Sequence, residues 1–129
     1  MDDTPTILIV EDDHSIGRLL SEIFTLGGYR VEVAPTGAAA ARALSAGRPD
    51  LIALDLNLPD ISGQALLEGL REQPDTAALP VVVITSQLPV AGRVHAQAEA
   101  VVAKPFDLDQ LLATVQQVVP PADPRVDFR

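Results

Sequence analysis

The chain has 129 residues, of which 47% are hydrophobic and none is cysteine, so one domain can bury a core without disulfides, and a thiol nucleophile is excluded. Aromatic residues make up 3% of the sequence, too few for a platform on which nucleic-acid bases stack. Asp and Glu number 18 against 9 Lys and Arg, and the net charge of −9 opposes direct binding to nucleic acid or an anionic membrane.

Short apolar runs alternate with segments of helical period along the chain. The first run is unbroken and rich in β-branched residues, which is typical of a strand buried on both faces. The predicted strands are Ile7–Val10, Arg30–Ala34, Leu51–Leu54, Val81–Ile84 and Ala100–Ala103. The predicted helices are Ile16–Phe24, Ala38–Leu44, Gln64–Leu70, Val90–Gln97 and Leu108–Val119. Five strand–helix units in succession favour an α/β fold, a parallel sheet covered by helices on both faces.

The ends of the chain and of its helices carry their own signals. Asp13 and Asp107 are placed to cap the first and last helices. Residues 1–119 are predicted to form one domain, and the proline-rich residues 120–129 are predicted to be a tail or linker, with no effector domain in the chain. The first apolar run is too short for a signal peptide or a membrane span, so the expected location is the cytoplasm.

Polar side chains follow four of the five predicted strands. Glu11 and Asp12 follow the first strand, Asp55 follows the third, Thr85 ends the fourth and Lys104 follows the fifth. The carboxyl ends of parallel strands share one edge of the sheet, where ligands of open α/β sheets bind. In a sheet of order 2-1-3-4-5, the first and third strands are neighbours. That order would bring Glu11 and Asp12 next to Asp55.

The charges at this edge predict a metal site. Two carboxylates about 4 Å apart repel by roughly 4 kcal/mol at an effective dielectric constant of about 20. Glu11, Asp12 and Asp55 with Lys104 leave two negative charges, which one divalent cation would neutralise. Because all the candidate ligands are oxygens, Mg²⁺ or Mn²⁺ suits the site better than Zn²⁺.

A carboxylate beside such a cation can accept a phosphoryl group. Asp55 is the candidate acceptor. Lys104 would pair with one phosphoryl oxygen as a point charge, and the Thr85 hydroxyl would donate a hydrogen bond to another.

Four segments together resemble the receiver domain of two-component response regulators. They are Ile-Leu-Ile-Val-Glu-Asp-Asp at 7–13, Asp-Leu-Asn-Leu-Pro-Asp-Ile-Ser-Gly at 55–63, Val-Ile-Thr-Ser at 83–86 and Lys-Pro-Phe at 104–106. The resemblance runs from Thr6 to about Val119. It implies a flavodoxin-like (βα)5 doubly wound sheet of order 2-1-3-4-5. It also implies that Asp55 accepts a phosphoryl group from a phosphohistidine on a histidine kinase or histidine phosphotransfer protein.

The same resemblance implies roles for the surrounding residues. Glu11 and Asp12 would hold Mg²⁺ together with Asp55 and the backbone carbonyl of Asn57. Lys104 and Thr85 would contact the phosphoryl group, and the Lys104–Pro105 peptide bond is expected to be cis.

A receiver of this kind is a signalling switch in a phosphorelay rather than a metabolic enzyme. Its only chemistry is its own phosphoryl transfer and dephosphorylation. The phosphorylated state would alter contacts with a downstream protein, and the resemblance allows a homodimer on phosphorylation.

The sequence departs from the family pattern in two places. Val101 stands where the family often has Tyr or Phe, three residues before the lysine. The interval between Thr85 and Lys104 is a few residues shorter than is common, which predicts a short or irregular fourth helix.

Two other functions fit parts of the pattern. A pseudo-receiver that is never phosphorylated would tolerate Val101. An Mg²⁺-dependent phosphohydrolase on a related fold would use the same acids, although such enzymes often have a second acid where Asn57 stands. Asp60 is expected to be a solvated loop residue.

Overall fold

The first apolar run forms an interior strand of a five-stranded parallel sheet. The computed structural model describes residues 3–122, so the predicted tail lies outside the described residues from position 123 onward. The strands are β1 Thr6–Val10, β2 Arg30–Ala34, β3 Leu51–Leu54, β4 Val81–Thr85 and β5 Ala100–Ala103. The helices are α1 His14–Leu26, α2 Gly37–Ala46, α3 Gly63–Glu72, α4 Gly92–Gln97 and α5 Leu108–Val118.

The sheet has the order β2-β1-β3-β4-β5 and all its pairs are parallel, which confirms the predicted flavodoxin-like topology. In the pairing of β1 with β3, Val10 lies opposite Leu54. Both strands end at this pair, so the residues that follow them leave the sheet side by side.

The helices cover the two faces of the sheet. Ile7 and Ile9 pack on one face with α1 and α5, through residues such as Phe24 and Leu111. Leu8 and Val10 pack on the other face with α2, α3 and α4. Because side chains alternate between faces, the buried positions Ile7–Val10 of β1 are all apolar, as the apolar run predicts.

Side-chain caps fix the start of most helices. Asp13 accepts the N–H of Ile16 at 3.0 Å and Asp107 accepts that of Gln110 at 2.9 Å, which confirms both predicted caps. The fourth helix has six residues and no side-chain cap, which confirms that it is short. No helix in the described part of the chain has the length and apolar character needed to cross a membrane.

Arg71, in the last turn of α3, holds the segments around the short α4. Its guanidinium donates to the carbonyl oxygens of Gln97 and Leu79 at 2.9 and 2.8 Å. It also donates to the Glu99 carboxylate at 3.3 Å, and that carboxylate accepts the N–H of Val81. One side chain thereby joins the ends of α3 and α4 to the start of β4.

Candidate functional site

The ends of β1 and β3 bring together the three predicted acids. Carboxylate oxygens of Glu11, Asp12 and Asp55 all lie within 4.8 Å of one another. The backbone N–H of Asp55 donates to the Val10 carbonyl at 2.9 Å, so pairing of the two strands continues to the acid itself. Glu11 and Asp55 are 3% and 6% exposed, whereas Asp12 is exposed.

Lys104 enters the cluster from the end of β5. Its Nζ lies 2.6 Å from Glu11 Oε1 and 3.5 Å from Asp55 Oδ2. Its backbone N–H donates to the Thr85 carbonyl at 2.9 Å, which ties the end of β5 to that of β4. The Lys104–Pro105 peptide is cis, as predicted, and so is Leu88–Pro89, which the sequence did not suggest.

The lysine does not balance the acids fully. Burial raises the pKa of the Glu11 carboxyl, the neighbouring Asp55 charge adds to the rise, and the hydrogen bonds from Lys104 and the Asp13 N–H only partly offset them. The charged cluster therefore carries an unfavourable free energy that a divalent cation would relieve. Three convergent carboxylates in one open site fit Mg²⁺, a hard cation that prefers oxygen ligands.

Thr85 and Asn57 lie at the adjoining chain ends. Thr85 is fully buried at the end of β4, and its Oγ1 accepts the N–H of Gln87 at 3.0 Å. The N–H of Asn57 donates to Asp55 Oδ1 at 3.2 Å, so this exposed residue sits directly over the acid. Its carbonyl as a metal ligand stays a prediction.

Two residues beside the site were not identified from the sequence. Gly63 begins α3 against the backbone before it, where an added Cβ would lie 2.4 Å from the Asp55 carbonyl oxygen. Asp60 is an exposed loop residue, as predicted, but it also makes contacts that the sequence did not indicate. Its two oxygens accept the N–H groups of Gly37 and Ala38 at the start of α2, and these bonds lower its pKa. No local sequence pattern predicts this contact, because Asp60 and Gly37 are 23 positions apart in the chain.

Val101 is half-buried in β5 and packs against the core beneath α2, α3 and α4. It lies opposite Val83 of β4. The position of the family's aromatic side chain is therefore taken by a short apolar one.

Comparison with known proteins agrees with this geometry. Residues 7–116 match the sequence profile described as the response regulator receiver domain. The chain is 38% identical over 116 residues to the transcriptional regulatory protein KdpE of Mycobacterium tuberculosis, covering 88% of this chain and 50% of that protein. The chain thus spans about half the length of the curated relatives it matches.

Solved structures give the same result. A CheY-like response regulator receiver domain from Methylobacillus flagellatus superimposes with a TM-score of 0.82 at 26% identity, covering 90% of this chain and 99% of that one. The response regulator protein TrrA from Thermotoga maritima, solved in complex with Mg²⁺-BeF, has a TM-score of 0.81 at 27% identity, covering 89% and 99%.

Proposed function

Since the chain belongs to the response regulator receiver domain family, we propose that Asp55 is its phosphoacceptor and that phosphorylation there, with Mg²⁺ bound, switches its contacts with other proteins. The observation that carries the proposal is the convergence of Glu11, Asp12 and Asp55 within 4.8 Å, with Lys104 Nζ beside them.

Each acid has a place in binding the cation. Asp12 is exposed and would bind the cation from the solvent side. Glu11 is buried and forms an ion pair with Lys104. Asp55 and the Asn57 carbonyl complete the set. When bound, Mg²⁺ would offset the charge on the acceptor carboxylate and the incoming phosphoryl oxygens. The Mg²⁺-BeF complex of TrrA supports this choice of cation; Mn²⁺ has the same ligand preference.

The transfer itself uses the chain's own groups. An Asp55 carboxylate oxygen forms a bond to the phosphorus of a phosphohistidine, and the P–N bond breaks. The electron pair returns to the imidazole, which takes a proton from water. Lys104 then pairs with a phosphoryl oxygen, and Thr85 donates its hydroxyl hydrogen to another, because its oxygen already accepts from Gln87.

The partners follow from this chemistry. The donor is a histidine kinase or a histidine phosphotransfer protein in the cytoplasm, and the chain's only reactions are acceptance and hydrolysis of its own phosphoryl group. Rearrangement of the loops beside Thr85 and β5 would carry the signal to a downstream protein or to a second copy of the chain. The net charge of −9 disfavours direct contact with nucleic acid.

The test is incubation of the chain with a small acyl phosphate and Mg²⁺, followed by intact-protein mass spectrometry. We expect one phosphoryl group per chain, labile to hydroxylamine and absent when the cation is chelated. Asp55→Asn should remain unlabelled. Asp75→Asn, a matched change at an exposed acid in the α3–β4 connection, should be labelled like the wild type.

A wild-type chain that takes no phosphoryl group from this donor or from any histidine kinase would contradict the proposal and favour a pseudo-receiver. Labelling of Asp55→Asn to the wild-type extent would also contradict it, because the acceptor would then be another residue.

A further inference from the structure

The segment between Asp55 and α3, residues 56–62, is closed at its base, and we refer to it as the acceptor loop. The Gly63 N–H donates to the Leu56 carbonyl at 2.8 Å, and the glycine packs on the backbone of Asp55. The loop therefore leaves and returns to one place beside the acceptor. The position of its remaining residues depends on what its outer part contacts.

That outer part is fastened to the first turn of α2. Asp60 Oδ1 accepts the Gly37 N–H at 2.8 Å and Oδ2 accepts the Ala38 N–H at 2.9 Å. Thr36 Oγ1 accepts the third N–H of the turn, that of Ala39, at 2.9 Å. The helix start is thus capped jointly by its own N-cap residue and by a carboxylate from the acceptor loop. Its partial positive charge strengthens the bonds to Asp60.

The contact also fits sterically. A Cβ added at Gly37 would lie 2.2 Å from Ile61 Cγ2. A methyl group at position 37 therefore cannot coexist with the present position of Ile61. The absence of a side chain at Gly37 lets the acceptor loop approach the helix closely enough for both Asp60 oxygens to bond.

The contact closes a ring around the acid cluster. The Ala34 carbonyl, at the end of β2 and three residues before Gly37, accepts the Glu11 N–H at 3.1 Å. The start of α2 is therefore linked to Glu11 on one side and, through Asp60, to the loop that follows Asp55 on the other. The two chain segments that supply the acids are held together by bonds that do not involve the carboxylates of Glu11, Asp12 or Asp55.

We infer that Asp60 is a positioning residue for the cation: by holding the acceptor loop on α2, it fixes the Asn57 backbone carbonyl where the bound Mg²⁺ would meet it. Asn57 is held from below by the Asp55 carboxylate and across the loop by its β-bridge to Ser62, and Asp60 completes the support. The inference rests on the proposed function and adds a residue to it.

The test measures the Mg²⁺ dissociation constant of the full chain by NMR titration. Asp60→Ala should weaken binding by about 10-fold, the lower end of the effect of losing a residue that orients a metal ligand. Asp60→Asn keeps one side-chain oxygen, which can accept one of the two N–H groups. Its dissociation constant should therefore lie between those of the wild type and Asp60→Ala. The control is Asp50→Ala, which removes the same charge and a 2.8 Å bond to the Thr6 N–H at the opposite edge of the sheet, and should leave the constant unchanged.

A second pair of variants separates position from charge. Gly37→Ala keeps every charge but displaces Ile61, so it should also weaken Mg²⁺ binding. The double variant Gly37→Ala/Ile61→Ala removes the obstructing methyl and should recover much of the wild-type affinity. In the metal-free protein, the Ala38 N–H should exchange faster with solvent in Asp60→Ala than in wild type.

The outcomes distinguish the two claims. A wild-type chain that binds no Mg²⁺ contradicts the proposed function together with this inference. A wild type that binds Mg²⁺ while Asp60→Ala binds as tightly as Asp50→Ala overturns this inference alone. Equal losses in Asp60→Asn and Asp60→Ala with no loss in Gly37→Ala would also overturn it, because Asp60 would then act only through its charge.

Discussion

At the scale of single residues, Lys104 is the counter-ion of two buried acids. It therefore has the largest effect on the stability of the site when no cation is bound. Its side chain is 12% exposed, and it pairs with Glu11 and Asp55, which are more deeply buried. A buried pair is weak evidence for net stability, but removing one partner leaves the other uncompensated.

Lys104→Met should therefore lower the free energy of unfolding of the metal-free chain by about 3 kcal/mol at neutral pH. Mg²⁺ should restore part of the loss, since the cation supplies the missing positive charge. Urea denaturation with and without Mg²⁺ measures both effects. Arg93→Met is the control. The Arg93 side chain is 65% exposed in its pair with Glu68, so its loss should change stability by less than about 0.5 kcal/mol.

Tyr29 gives a pH dependence that can be followed directly. It is 3% exposed, its hydroxyl donates to the Val119 carbonyl, and burial raises its pKa to about 12. The hydroxyl keeps its proton more readily in the folded chain than in the unfolded chain. Its contribution to the free energy of unfolding is therefore fully present below pH 10, the ordinary pKa of tyrosine, and is lost as the pH rises from 10 through 12.

The chain has one tyrosine and no tryptophan, so ultraviolet absorbance reports this titration alone. We expect a midpoint near pH 12 in the folded protein. Tyr29→Phe should cost about 1 kcal/mol at neutral pH. In wild type, ionisation of Tyr29 lowers the free energy of unfolding by up to about 3 kcal/mol between pH 10 and 12. This part of the loss should be absent from Tyr29→Phe. A midpoint near pH 10 would contradict the buried, hydrogen-bonded hydroxyl.

At the scale of elements, sequence patterns predicted the strands better than the helix ends. The bounds of β2, β3 and β5 agree with the prediction. β3 and β5 are apolar runs flanked by charged residues, which makes their ends easy to place. The second and third helices begin one residue earlier than predicted and end two later. Their first residues are Gly37, which lies against Ile61, and Gly63, which lies against the backbone of Asp55. Helical periodicity contains no signal for these contacts.

Arg71 holds the elements around α4 where the helix itself is too short to be stable alone. Arg71→Met should lower the free energy of unfolding by about 3 kcal/mol, because several backbone carbonyls and Glu99 lose a charged donor. Arg71→Lys should recover little, since an ammonium cannot span the same acceptors.

Urea denaturation checks this prediction, with Arg18→Met as the control. Arg18 forms an exposed pair with Glu22 at 4.0 Å and should contribute little. Equal stability of the Arg71 and Arg18 variants would mean that the α4 region is held by packing alone.

At the scale of the whole molecule, the fold and the centre of the site could be predicted because both follow from strand ends. Glu11, Asp55 and Lys104 each come directly after a strand, so a parallel sheet of order 2-1-3-4-5 is enough to bring them together. Asp60 follows no strand, and it forms hydrogen bonds with the start of α2. This contact depends on how the acceptor loop packs on the helix, so strand ends alone could not predict it. The sequence contains no periodic signal for such a contact.

Binding of the cation should stabilise the molecule as a whole. At a Mg²⁺ concentration of 100 times the dissociation constant, the free energy of unfolding should rise by about 2.7 kcal/mol. Asp12→Ala should remove most of this rise with little change in metal-free stability, because Asp12 is exposed. Thermal unfolding of both chains over a Mg²⁺ series measures the difference, and equal shifts would place the cation elsewhere.

The most direct test of the central claim is to locate the phosphoryl group chemically. Borohydride reduces an aspartyl phosphate to homoserine, which peptide mass spectrometry identifies by position. After reaction with a phosphohistidine donor and Mg²⁺, the account predicts homoserine at position 55 and at no other acid. Conversion at Asp12 or elsewhere, or phosphoprotein that yields no homoserine, would contradict it.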